Sequence, residues 1–102
     1  MKDWIKIAPI EDIPLRAAKV FVKSETKIAV FRTKHDTFFA LEDKCPHKGG
    51  PISEGFVGQS VVHCPLHDWS FELESGQARY PDKGCIRRFP ISVSEGYVHI
   101  QI

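Results

Sequence analysis

Two short segments, CPHKGGP from Cys45 and CPLHDW from Cys64, constrain this chain more than anything else in it. The 102 residues contain only three cysteines, and two of them open Cys-Pro steps with a histidine two or three residues on. The spacing is C-x-H, sixteen residues, then C-x2-H. Between the two segments runs FVGQSVVH, in which Gly58 is expected at the first central position of a two-residue type II′ turn. A hairpin there sets two Gly/Pro-bearing loops side by side. Rigid strands then act as the mount and the two loop tips as an exposed site.

The rest of the chain follows period two or short β-branched and aromatic runs, with little of period 3.6. Strands are expected at Lys19 to Val22, Lys27 to Arg32 and Thr37 to Leu41, with polar turns at Ser24 to Thr26 and Lys34 to Asp36. A further strand ends in the turn of SFELESGQA, and two or three closing strands surround Pro90 and a Glu95-Gly96 turn. In the last of them Val98, Ile100 and Ile102 alternate with His99 and Gln101, one face buried and one wet. The only helical candidate is a single turn within Pro9 to Pro14. The fold class expected is all-β and antiparallel. A length of 102 residues suits one domain over 1–102 and no second one.

Composition excludes more than it identifies. With 42% hydrophobic and 26% charged residues and a formal charge of +1, the chain has no basic stripe for nucleic acid. Its apolar runs fall far short of the roughly 20 residues that span a bilayer, and the start MKDWIKIAP lacks the apolar stretch of a signal peptide. A cytoplasmic protein that binds neither nucleic acid nor membrane is expected. In a reducing compartment, three cysteines without framework spacing suit metal ligation or an inert role rather than disulfides.

Cys45, His47, Cys64 and His67 are the candidate ligands. Thiolate and imidazole pairs so close in sequence can bind one metal together or two adjacent metals separately. Structural zinc usually draws on C-x2-4-C or H-x3-5-H pairs, which C-x-H fits poorly, so zinc stays open as the weaker alternative. In a two-iron cluster each loop can give its cysteine to one iron and its histidine to the other.

With these four residues and the proline after each cysteine, the segments resemble the two cluster loops of Rieske-type [2Fe-2S] proteins. The resemblance implies an antiparallel β-sandwich with a cluster-binding insertion from about 41 to 70, and one [2Fe-2S] cluster per chain. It implies Cys45 and Cys64 on one iron and His47 and His67 on the other, with one-electron transfer as the task. Two neutral imidazoles in place of thiolates leave the cluster less negative, which eases reduction. Rieske proteins of quinol-oxidising complexes carry an extra cysteine in each loop and hydroxyl side chains after the second. Here Gly50 and Leu66 stand at the former places and Trp69 and Phe71 at the latter. The comparison implies a soluble, low-potential member, towards the lower end of about −150 to +300 mV.

The stretch YPDKGCIRRFPISVSEGYVHI is similar to the tail of the small subunit of assimilatory NAD(P)H-dependent nitrite reductase, and WIKIAPIEDIP fits that family too. This implies nitrate assimilation and docking on a large nitrite reductase subunit, with no catalysis by the chain alone. The rival is a Rieske ferredoxin that carries electrons from a flavin reductase to an aromatic-ring-hydroxylating dioxygenase. A third reading is an interaction module with a purely structural cluster.

The remaining residues of interest invite plainer roles. Cys85 is expected to be a small buried turn residue. His63 should point away from the cluster, and His35 and His99 should be ordinary surface residues. Trp69 and Phe71 should shield the cluster from water, Trp4 should be core or rim, and Arg87 and Arg88 should be solvated. Lys48 is the one lysine expected at a docking rim.

Overall fold

The computed structural model describes residues 4–23, 25–34, 36–45, 50–65, 69–79 and 84–101. Within them lie ten strands, every pairing antiparallel. They are β1 (Trp4–Pro9), β2 (Ala17–Lys23), β3 (Thr26–Arg32), β4 (Phe38–Glu42), β5 (Phe56–Val57), β6 (Val61–His63), β7 (Ser70–Glu72), β8 (Arg88–Phe89), β9 (Ile91–Ser94) and β10 (Tyr97–Gln101). Short 3-10 turns at Ile10–Asp12 and Ile52–Glu54 are the helical elements. The single turn expected within Pro9 to Pro14 is the first of these.

The strands form three sheets, ordered β1-β10-β9, β2-β3-β4-β8 and β5-β6-β7. The four-stranded sheet is the wall between two apolar clusters. Ile28 and Val30 of β3, with Phe38 and Ala40 of β4, pack on one side with Ile13, Phe89, Val98 and Ile100. Ala29 and Phe31 of β3, with Leu41 of β4, pack on the other with Val57, Val62 and Phe71 of the β5-β6-β7 sheet. Four consecutive residues of β3, Ile28 to Phe31, are buried, so the strand is covered on both faces while its side chains keep alternating. Arg32, at the end of β3, ties the first 3-10 turn to this wall: its Nη1 donates to the carbonyls of Ile10 at 3.1 Å and Ile13 at 2.8 Å.

The turns show where local chemistry decided and where it did not. Glu95 and Gly96 connect β9 to β10 with φ of 54° and 80°, the two left-handed positions of a type I′ hairpin, which glycine occupies without steric cost. The hairpin between β5 and β6 differs from expectation. Gly58 donates its N–H to Val61 at 2.8 Å, so the central residues are Gln59 and Ser60. Gly58 is not among the described glycines with positive φ. In the closing strand Val98 and Ile100 are buried as expected, while Ile102 lies outside the described residues. Half-buried His99 stands on the opposite face, in a recess it shares with Trp4, Ser92 and Ser94. Trp4, half exposed, belongs to the rim. Among the described residues no helix is long and apolar enough to cross a membrane.

Candidate metal centre

The first loop leaves the end of β4. Asp43 continues the pairing beyond that strand by donating its N–H to Lys27 at 2.8 Å, and Cys45 follows, fully buried. The Cys45 N–H donates to the Gly50 carbonyl at 2.8 Å, closing the loop five residues on. Outside that bond the Asp43 carboxylate accepts from both the N–H and the hydroxyl of Ser53, at 2.8 and 2.9 Å. An ionised carboxylate is acceptor-only, with two oxygens to offer, so one donor pair from a single serine satisfies it well.

The second loop repeats this construction with different side chains. Strand β6 delivers Cys64, buried with 2% exposure, and its N–H donates to the Trp69 carbonyl at 2.7 Å, again five residues on. Outside that bond, His63 and Ser70 are direct partners in the β6/β7 register, and His63 Nδ1 lies 2.9 Å from Ser70 Oγ. The other neighbour of His63 is Phe56, its partner across β5/β6, with ring centroids 5.8 Å apart. His63 thus braces the base of the loop through Ser70 and Phe56.

Both cysteines therefore sit at the start of loops closed by the same backbone bond, and both belong to one apolar cluster with Ile52, Val62 and Phe71. Neither is in a disulfide. Two buried thiols outside any disulfide, one at the mouth of each loop, suit a thiolate-ligated two-iron cluster, because each loop can then offer one soft donor from an apolar setting. His47 and His67 lie outside the described residues, as do Lys48, Leu66 and His35. Phe71 is fully buried and Trp69 packs half-buried against the same cluster, their rings 6.4 Å apart, which suits the shielding role expected of them.

Cys85 corrects an expectation. It is exposed rather than buried, as is Gln77, its partner in an isolated bridge, while the next residue, Ile86, is the one that turns inward. Arg87 and Arg88 are exposed as expected, Arg87 with its guanidinium 4.7 Å from the Phe89 ring. Asp43, Ser53 and Ser70 were not singled out in the sequence. Their only signal is position: each is a hydrogen-bonding side chain lying just outside a loop that begins with cysteine.

Residues 3–90 match the Rieske [2Fe-2S] domain family. The chain is 33% identical over 98 residues to the 3-phenylpropionate/cinnamic acid dioxygenase ferredoxin subunit of Photorhabdus laumondii, spanning 94% of this chain and 91% of that protein. It is 29% identical to the anthranilate 1,2-dioxygenase ferredoxin subunit of Burkholderia cepacia, spanning 100% of this chain and 94% of that one. Among solved structures it is similar to a chain in the complex of oxygenase and ferredoxin of carbazole 1,9a-dioxygenase. That likeness has a TM-score of 0.84 and 27% identity, covering 95% of this chain and 91% of that one. A candidate NADH-dependent nitrite reductase small subunit from Mycobacterium tuberculosis shares the fold with a TM-score of 0.90 at 19% identity, covering 100% and 96% of the two chains.

Proposed function

Because this chain belongs to the Rieske [2Fe-2S] domain family, we propose that it serves as a ferredoxin, passing single electrons from a flavin reductase to an oxygenase that hydroxylates an aromatic ring. Electron transfer and one [2Fe-2S] cluster per chain come with the family. The choice of partner rests on whole-length likeness to two dioxygenase ferredoxin subunits. The structural observation that carries the reading is the matched pair of loops, each beginning with a buried cysteine and closed from that cysteine's own N–H.

Cys45 and Cys64 would hold one iron and His47 and His67 the other, within a single domain whose ligand-bearing part runs from about 41 to 70. Bound, the cluster supplies a one-electron couple at a potential raised above that of four-thiolate clusters by its two neutral imidazoles. The chain's own residues set the surroundings. Phe71, Ile52 and Val62 keep water from the cysteine side, and burial of this kind tunes potential. The Cys45 and Cys64 N–H groups are committed to Gly50 and Trp69, so they close the loops. Phe71, where a hydroxyl would add a donor, contributes none, which favours a low potential. Three cysteines outside any disulfide, Cys85 exposed among them, suit a reducing cytoplasm.

A second reading, the small subunit of an assimilatory nitrite reductase, is favoured by the Asp82-Lys83-Gly84-Cys85 stretch and the Pro-containing strands after it. One experiment separates the two. The cluster-loaded protein is added to a ring-hydroxylating dioxygenase with its flavin reductase, and in parallel to a large nitrite reductase subunit. NADH-dependent product formation and nitrite consumption are then measured. Dioxygenase turnover that requires the chain supports the ferredoxin reading. Stimulation of nitrite consumption alone replaces it with the second, and no effect in either assay removes both.

A further inference from the structure

Gly55 stands between the two loops. It ends the 3-10 turn Ile52–Glu54, donating its N–H to Ile52 at 2.9 Å, two residues after the serine that clasps the first loop. Its φ of −81° and ψ of 175° are open to any residue, so backbone conformation does not require glycine here. Space does. A Cβ at this position would collide with the His63 carbonyl oxygen and lie 2.9 Å from its carbonyl carbon, the atom bonded to the nitrogen of Cys64. These are main-chain atoms and cannot swing aside as a flexible side chain would. The glycine exists for the close approach of one backbone to another.

We propose that Gly55 is the spacer that sets how closely the two cluster loops approach each other. It is a positioning residue acting through the His63–Cys64 peptide, and the inference rests on the Rieske reading above. Both sides of the contact are held. The first loop is fixed by Asp43 and Ser53, the second by His63 and Ser70 and by the Cys64 N–H bond to Trp69. A methyl group at residue 55 therefore cannot be absorbed within either loop, and the gap between them opens instead. That gap is the one dimension a ligand set drawn equally from two loops has to match. Small errors in the supporting residues of such a site are felt at the site itself.

Gly55→Ala tests this against Gly58→Ala, a control in the hairpin between the loops where a Cβ would meet at nearest the Val61 Cγ2 at 3.3 Å. Three properties are measured on the purified proteins: far-ultraviolet circular dichroism, iron and sulfide per chain, and the electron paramagnetic resonance of the dithionite-reduced state. The half-life of the visible absorbance under a chelator is followed as well. Gly55→Ala is expected to keep its β-sheet signal, to shift its resonance g values and to lose its cluster about tenfold faster, if the roughly tenfold or greater loss of metal affinity typical of disturbed supporting groups falls on the rate of release. Gly58→Ala should match the wild type. An iron-loaded Gly55→Ala with unchanged g values and half-life overturns the inference. So does loss of its β-sheet signal, which would make Gly55 a residue of the fold rather than of the gap. A wild-type chain that binds no iron overturns the family-based reading as well, and is a separate result.

Discussion

Asp43 and Ser53 are joined by two hydrogen bonds, at 2.8 and 2.9 Å, across the ten positions that carry the first cysteine loop. Hydrogen bonds to a charged acceptor are worth about 1.5 to 3 kcal/mol each, more than neutral ones. Ser53→Ala removes the hydroxyl but keeps the backbone donor, so urea unfolding of the metal-free protein should show a loss of about 1.5 kcal/mol. Asp43→Ala leaves both donors without their acceptor and should cost about twice as much. Equal stability of the two variants would mean that the clasp is not shared in this way.

The proposed ligands predict a sharp split among variants. His47→Ala and His67→Ala should each abolish the rhombic resonance signal of the reduced cluster, because each would remove one of the two imidazoles proposed for the same iron. Cys45→Ala and Cys64→Ala should prevent cluster assembly. Cys85→Ala should leave the spectrum and the iron content intact, since that thiol is exposed at the margin of the fold. A cluster lost from Cys85→Ala would require a different ligand set.

Much of this fold could be read from alternation. The strands expected at Lys19 to Val22, Lys27 to Arg32 and Thr37 to Leu41 are β2, β3 and β4, displaced by one or two residues at their ends. The Glu95-Gly96 turn was legible because its left-handed backbone leaves a mark in composition. The Gly58 turn misled because that glycine serves in the closing pair rather than at the turn's centre. At the candidate site, spacing draws attention to the two cysteines, and the structure buries both of them. The clasps were not: Asp43 meets Ser53, and His63 meets Ser70, only once the loops are closed and the β6/β7 register is set. Cys85 failed as a buried residue because cysteine's usual preference for the interior yields to alternation along the chain, which turns the neighbouring Ile86 inward instead.

Removing the cluster should act on one side of the wall. Cys45 and Cys64 share their apolar cluster with Ile52, Val57 and Val62, whereas Val30, Phe89, Val98 and Ile100 pack together without either cysteine. Hydrogen exchange after acid stripping and neutralisation should therefore speed up across β5 and β6 and stay slow in β10 and the centre of β3. Equal loss of protection on both sides would show that the two clusters unfold as a single unit.

Arg32 offers a test remote from the loops. Its Nη1 donates to two carbonyls and its Nε lies 2.7 Å from Asp36 Oδ1. Arg32→Met leaves the Ile10 and Ile13 carbonyls short of a donor and should cost about 2 kcal/mol in denaturant unfolding. Asp36 is largely exposed, so Asp36→Asn should cost under about 0.5 kcal/mol, as surface ion pairs generally do. The reverse order would assign the stability to the ion pair.

The two buried faces of β3 also bear on how the chain avoids misfolding. Ile28 and Val30 fill one cluster, and Ala29 and Phe31 fill the other. A slip of a single residue against β2 or β4 would turn every one of these side chains to the opposite side of the wall. Ala29 would then face a space shaped for isoleucine, and Phe31 would enter one lined by Phe38 and Phe89. A misaligned chain thus spoils two interiors at once, so proofreading of the correct alignment is built into the strand that separates them.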